Sequence, residues 1–316
     1  MTSLLYDTAE ALIYDPVPAN RMATRSALYA LGFRNIETAA TPQAFREFLS
    51  RRSPDLAICE VQRNDTEICE LIQALRQGTE NYNPFIVIIA TAWEKVEGLI
   101  ARVVNSGADD LLLRPFSTAL LQSRIETHVQ RRKGFVVTTD YVGPDRRRDD
   151  SRPSNVELFD PPNSLRMKAK ERLTPEQAAQ RLEAELRTAR DVLSREKLRR
   201  DAFQICIQWR LLQDAAPGEG AYRDGLERIA ALARAVARGC RDSELDHALG
   251  WCDSLLAAVD GLKVGVDRGA SLHLLGHAAL SLNQVFHPLR TPQEALGEIE
   301  ATAALVRART AKRLAS

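Results

Sequence analysis

An α/β domain followed by an all-α domain is the architecture this sequence predicts, and three observations predict it. Between residues 8 and 131, short apolar runs alternate with amphipathic helical patterns. Between 132 and 165 that pattern stops amid proline, glycine and charge of both signs. From 166 to 316 only helical periodicity remains.

The strand candidates come in the order ALIY (11–14), IETA (36–39), LAIC (56–59), FIVIIA (85–90) and DLLL (110–113). All but the second are nearly unbroken apolar runs, as expected of strands covered on both faces. Met22, Leu28 and Leu31 mark the first helix, with Gly32 as its stop. Thr41-Pro42 places an N-cap and a first-turn proline ahead of Phe45, Phe48 and Leu49. Leu71 and Leu75 mark a third helix; Val96, Leu99, Ile100 and Val103 mark a fourth, ending near Gly107. Leu121, Ile125 and Val129 fill the fifth. Strands and helices alternating in this way imply a parallel, doubly wound sheet with its site beyond the C-terminal strand ends. After the charged 132–165 linker, Thr174-Pro175 opens a long helix over about 175–212. Further helical segments fall near 222–239, 243–261, 269–285 and 292–313. They form a helical output or partner-binding domain over 166–316.

Composition removes several functions. Lys and Arg total 43 against 42 Asp and Glu, so no bulk field draws the chain to nucleic acid or membrane. The five cysteines form no CxxC pair and no disulfide framework. No apolar run approaches the roughly 20 residues of a membrane span, and the first ten residues lack a signal core. The expectation is a cytoplasmic protein.

The strand ends carry the strongest signal. GADDLLLRPF (107–116), PDLAICE (54–60), Asp15 after the first strand and Thr91 after the fourth together resemble the receiver domains of two-component response regulators, a flavodoxin-like fold. That resemblance implies an acidic pair and an aspartate that hold Mg²⁺, the aspartate accepting a phosphoryl group. It also implies a Ser/Thr that hydrogen-bonds the group and a lysine that neutralises it. A carboxylate attacking an anionic phosphoryl group needs those cations to cancel the charge that builds in transit.

In this chain the set is altered. Asp15 fills the first acidic position, but Pro16 stands at the second. Glu60 occupies the phosphoacceptor position on a side chain one methylene longer. Thr91 matches the switch hydroxyl, Arg114 replaces the lysine with a planar fork, and Leu111 replaces the switch aromatic. The expectation is a pseudo-receiver with no catalytic residue, no metal and no cofactor. It would act in phosphorelay signalling through a protein partner, a kinase or an output target. Glu60 and Arg114 are read either as a standing partial mimic of the phosphorylated state or as a half-buried structural salt bridge. Asp15 is read as a remnant metal ligand or as a helix-capping residue.

Other signals weigh less. Arg147-Arg148 and Arg152 have the arginine spacing of the cyclic-di-GMP-binding arm of PilZ domains, but the partner motif is missing. His273 and His277 lie four apart, with His287 nearby, without the glutamate of HExxH. They leave a metal-assisted hydrolase as one alternative. A DNA-binding response regulator with a helix-turn-helix is the other, although residues 166–316 are balanced in charge. Leu182, Leu186, Ala189, Leu193, Phe203 and Ile207 make a broken heptad seam on the long helix, which leaves room for a homodimer.

Overall fold

The computed structural model describes residues 4–63, 66–78, 82–146, 158–217, 220–241, 244–265 and 267–314. The chain divides into two units, Met1–Val192 and Leu193–Ser316. In the first, β1 (Glu10–Tyr14), β2 (Asn35–Ala39), β3 (Leu56–Glu60), β4 (Val87–Ala92) and β5 (Asp110–Leu113) form one sheet. They alternate with α1 (Pro18–Ala30), α2 (Pro42–Arg51), α3 (Glu67–Arg76), α4 (Glu97–Ser106) and α5 (Thr118–Arg131). The strands are parallel in the order β2-β1-β3-β4-β5, the doubly wound architecture that the apolar runs imply.

Alternation along each strand explains why the runs are unbroken. Leu12, Ala57, Ile88 and Ala90 join Phe45, Ile72 and Leu99 in a core on one face. Their neighbours Ile13, Ile58 and Ile89 join Leu28, Leu121 and Ile125 on the other. β2 is an edge strand with only Ile36 and Ala39 buried, so IETA reads as the weakest run. Thr41 Oγ1 accepts from the Ala44 amide at 3.1 Å with Pro42 opening α2, as the sequence indicates. Gly107 ends α4 in the left-handed region at φ 93°.

The stretch after Arg131 departs from the expected linker. β6 (Phe135–Val137) and β7 (Val142–Pro144) form an antiparallel hairpin, and Phe159 pairs with Phe135. α6 (Ser164–Ala169) buries Leu165 and Ala169 in the core shared with α1 and α5. The Leu5 amide donates to the Ala169 carbonyl at 3.0 Å. Charge misled the sequence reading here, because Arg132 and Lys168 point inward to buried carboxylates, as shown below. Thr174 precedes α7 (Pro175–Asp214), and the division between units falls within this helix instead of near residue 166.

The second unit continues with α8 (Gly220–Cys240), α9 (Leu249–Val264), α10 (Arg268–Phe286) and α11 (Pro292–Leu314). α9 begins later than the expected 243 because Asp246–Ala248 form a short 3₁₀ turn first. Cys206, Ile229, Val236, Leu255, Leu275 and Ile299 are among the buried residues of its core. The α7–α10 seam is close: a Cβ at Gly276 would lie 2.6 Å from the Trp209 ring, and Cys206 Sγ reaches the Ala279 carbonyl at 3.2 Å. No helix among the described residues is long and apolar enough to cross a membrane.

Candidate functional site

Parallel strands in the order β1-β3-β4-β5 bring their C-terminal ends side by side, so four positions scattered over the sequence converge. Glu60 and Thr91 are register partners on β3 and β4. Thr91 lies inside β4, which runs past the expected residue 90, and its Oγ1 donates to Glu60 Oε2 at 2.5 Å. The Arg114 Nε, just past β5, donates to the same Oε2 at 2.8 Å. Arg114 Nη2 donates to Thr24 Oγ1 at 3.0 Å and lies 3.2 Å from Asp15 Oδ2. Asp15 Oδ1 accepts from the Val17 amide at 2.8 Å, so this carboxylate also orders the turn entering α1. Asp15, Glu60, Thr91 and Arg114 thus form one cluster. Leu111 stands apart, packed against the core on the α2–α4 face.

Burial is deeper than a half-buried bridge. Side-chain exposure is 0% for Asp15, 3% for Glu60 and 7% for Arg114. Two donors converging on one oxygen suit an ionised carboxylate. Burial nonetheless raises the Glu60 carboxyl above its usual range, with the Thr91 and Arg114 bonds pulling it back only in part. A folded-state pKa raised above the unfolded one means that this group's contribution to stability declines as pH rises through the folded value.

A divalent ion does not fit this arrangement. Pro16 offers no carboxylate, and Asp15 and Glu60 already face the Arg114 guanidinium. Among the described residues no group of three or more His, Cys, Asp or Glu side chains is placed to hold a metal. Thr24 is the participant that sequence reasoning missed, since a single threonine on α1 gives no pattern to notice.

A second charged cluster, at the opposite ends of the strands, was also missed. Asp109 (side chain 1% exposed) accepts from Arg76 Nη2 at 2.8 Å and from Arg132 Nε at 2.8 Å. Arg76, wholly buried, also donates to the carbonyls of Gly107 and Ile86 at 2.9 and 2.8 Å. Arg132 donates to the Phe85 carbonyl at 2.7 Å, and both guanidinium groups lie about 5 Å from the Phe135 ring centre. The hairpin approaches backbone to backbone: a Cβ on Gly107 would sit 2.6 Å from the Val142 carbonyl oxygen. Burial alone would raise the Asp109 carboxyl, but Arg132 and Arg76 outweigh it and hold it below the usual range. Nearby, Lys168 of α6 donates to the buried Asp55 carboxylate at 2.8 Å.

The C-terminal histidines do not converge. His273 and His277 are exposed on α10, the latter edge-on to Trp251 at 5.5 Å. His287 is buried; its Nε2 accepts from Arg199 Nε at 2.9 Å while Nδ1 faces the Asn283 carbonyl at 3.1 Å. That pairing holds a neutral ring, and burial lowers its pKa. Arg147, Arg148 and Arg152 lie outside the described residues.

Residues 11–126 match the response regulator receiver domain family. The chain is 34% identical over 91 residues to the two-component response regulator PhoP of Pseudomonas aeruginosa, covering 28% of this chain and 38% of that protein. It is 32% identical over 120 residues to the KDP operon transcriptional regulatory protein KdpE of Escherichia coli, covering 38% and 51%. The chain thus spans about half or less of the length of these curated relatives. Among solved structures, a response regulator from Thermotoga maritima is 26% identical with a TM-score of 0.34, covering 38% of this chain and 96% of that one. Residues 11–126 are therefore a response-regulator receiver domain of the two-component type, followed by a helical region.

Proposed function

We propose that this receiver works without phosphoryl transfer and signals through contacts with a protein partner, the helical region carrying the output. No enzymatic step is assigned to either unit. The observation that carries the reading is the closure of Glu60: its Oε2 is engaged by both Thr91 and Arg114 in a buried pocket, with Pro16 beside Asp15. A phosphoryl donor would have to displace Arg114 and then react without a metal to spread its charge. Incubation with acetyl phosphate and Mg²⁺ is therefore expected to leave the intact mass unchanged. Glu60→Asp should also stay unlabelled, because Pro16 still withholds a ligand. An acyl phosphate on Glu60 would overturn the reading.

Whether Glu60 is a standing signal is a separate matter, and Glu60→Gln addresses it. Volume is nearly conserved, a charge-assisted bond is lost, and Asp15 still faces Arg114. A stability loss of about 1–2 kcal/mol is expected, because relief of the buried charge offsets part of the lost bond. If the carboxylate signals, affinity for a protein that co-purifies with the full chain should also fall at least tenfold. Unchanged affinity beside a lowered melting temperature would make the pair purely structural. A DNA-binding output would instead appear as a salt-dependent shift with duplex DNA.

A further inference from the structure

Two carboxylates share a single guanidinium in the buried cluster. Asp15 and Glu60 are the acidic groups that face Arg114, and Thr24 and Thr91 supply its hydroxyls. One negative charge is thus left without a counter-charge, in a pocket that a divalent ion does not fit. Like charges at one site oppose joint ionisation, and burial adds to the cost. The smallest cation that restores neutrality is a proton.

Glu60 is placed to take it. Thr91 and Arg114 both donate to Oε2, so a proton on Oε1 leaves each of those hydrogen bonds an acceptor. Burial drives the Glu60 carboxyl in the same direction, above its usual range. Arg114, in turn, has a second anchor on the side of α1. Asp15 Oδ2 lies buried 3.2 Å from Nη2 yet accepts no hydrogen bond, while Thr24 Oγ1 holds that nitrogen at 3.0 Å. Arg21 of α1 donates to the Asp15 main-chain carbonyl at 2.6 Å. We propose that the cluster is a proton-driven switch: as pH falls, Glu60 takes up one proton, loses its charge-assisted hold on Arg114, and leaves the guanidinium to Asp15 and Thr24. The proposal deepens the reading above and rests on it, with a proton acting at the position where a phosphoryl group is not received.

The test follows the full chain, labelled with ¹³C at glutamate Cδ, between pH 4 and 8. The Glu60 resonance, assigned by its loss in Glu60→Asp, is expected to titrate at higher pH than the glutamates of the same chain unfolded in urea. Hydrogen exchange then compares wild type with Glu60→Gln, which imitates the protonated carboxyl. In peptides covering 17–30 and 111–118, exchange rates of the two proteins should differ at least threefold at pH 8 and coincide at pH 5. A Glu60 carboxyl that titrates at or below the unfolded value would overturn the proposal, and so would an exchange difference that is the same at both pH values. An acyl phosphate on Glu60 after acetyl phosphate treatment would instead remove the reading on which the proposal rests.

Discussion

Asp109→Ala is expected to destabilise the first unit by about 3–5 kcal/mol, because it leaves two buried guanidinium groups without their shared counter-charge. In a unit of this size that corresponds to a fall in melting temperature of roughly 10 °C. The carbonyls of Gly107, Ile86 and Phe85 still accept from the arginines, but they cancel no charge. The pH dependence follows from the same geometry. The Asp109 carboxyl titrates below its unfolded value of about 4, so its stabilisation is complete above that pH and is lost as pH falls through the folded value. Wild type should therefore lose stability below about pH 4 more steeply than Asp109→Asn. Chemical denaturation of both proteins between pH 3 and 7 checks this; parallel curves and a loss under 1 kcal/mol would show that the cluster is not a counter-charge network.

Ending the chain at residue 131 should have a still larger effect. The fragment 8–131 loses Arg132 from the cluster, Lys168 from Asp55, and the buried side chains of Phe135, Val142, Leu165 and Met167. Deleting one large buried side chain costs about 2–5 kcal/mol, and the whole stability of a domain is about 5–15 kcal/mol. The fragment is expected to show no cooperative melt, while 1–192, which keeps the hairpin and α6, should unfold cooperatively. Thermal scans of the two fragments side by side decide the matter. A cooperative 8–131 fragment with the melting temperature of 1–192 would mean that the hairpin and α6 add nothing to the receiver core.

Local pattern determined much of this protein. Apolar runs, the Thr41-Pro42 cap and the Gly107 stop place the first five strands and helices, because burial on both sheet faces and backbone geometry act over a few residues. The convergence of Asp15, Glu60, Thr91 and Arg114 was legible only through the resemblance to receiver domains, and the observed strand order sets those strand ends side by side. Tertiary structure alone decided which charges are interior. Arg76, Asp109 and Arg132 look in sequence like solvated surface, and the 132–165 stretch like a free connector, because a charge's environment depends on partners 23 to 33 residues away. It also decided that Thr24 shares Arg114 with Glu60, a contact 90 residues apart that no spacing encodes. Hydrophobic burial leaves a periodic trace in the chain. Pairing of buried charges leaves none, since its energy resides in geometry that exists only once the fold has formed.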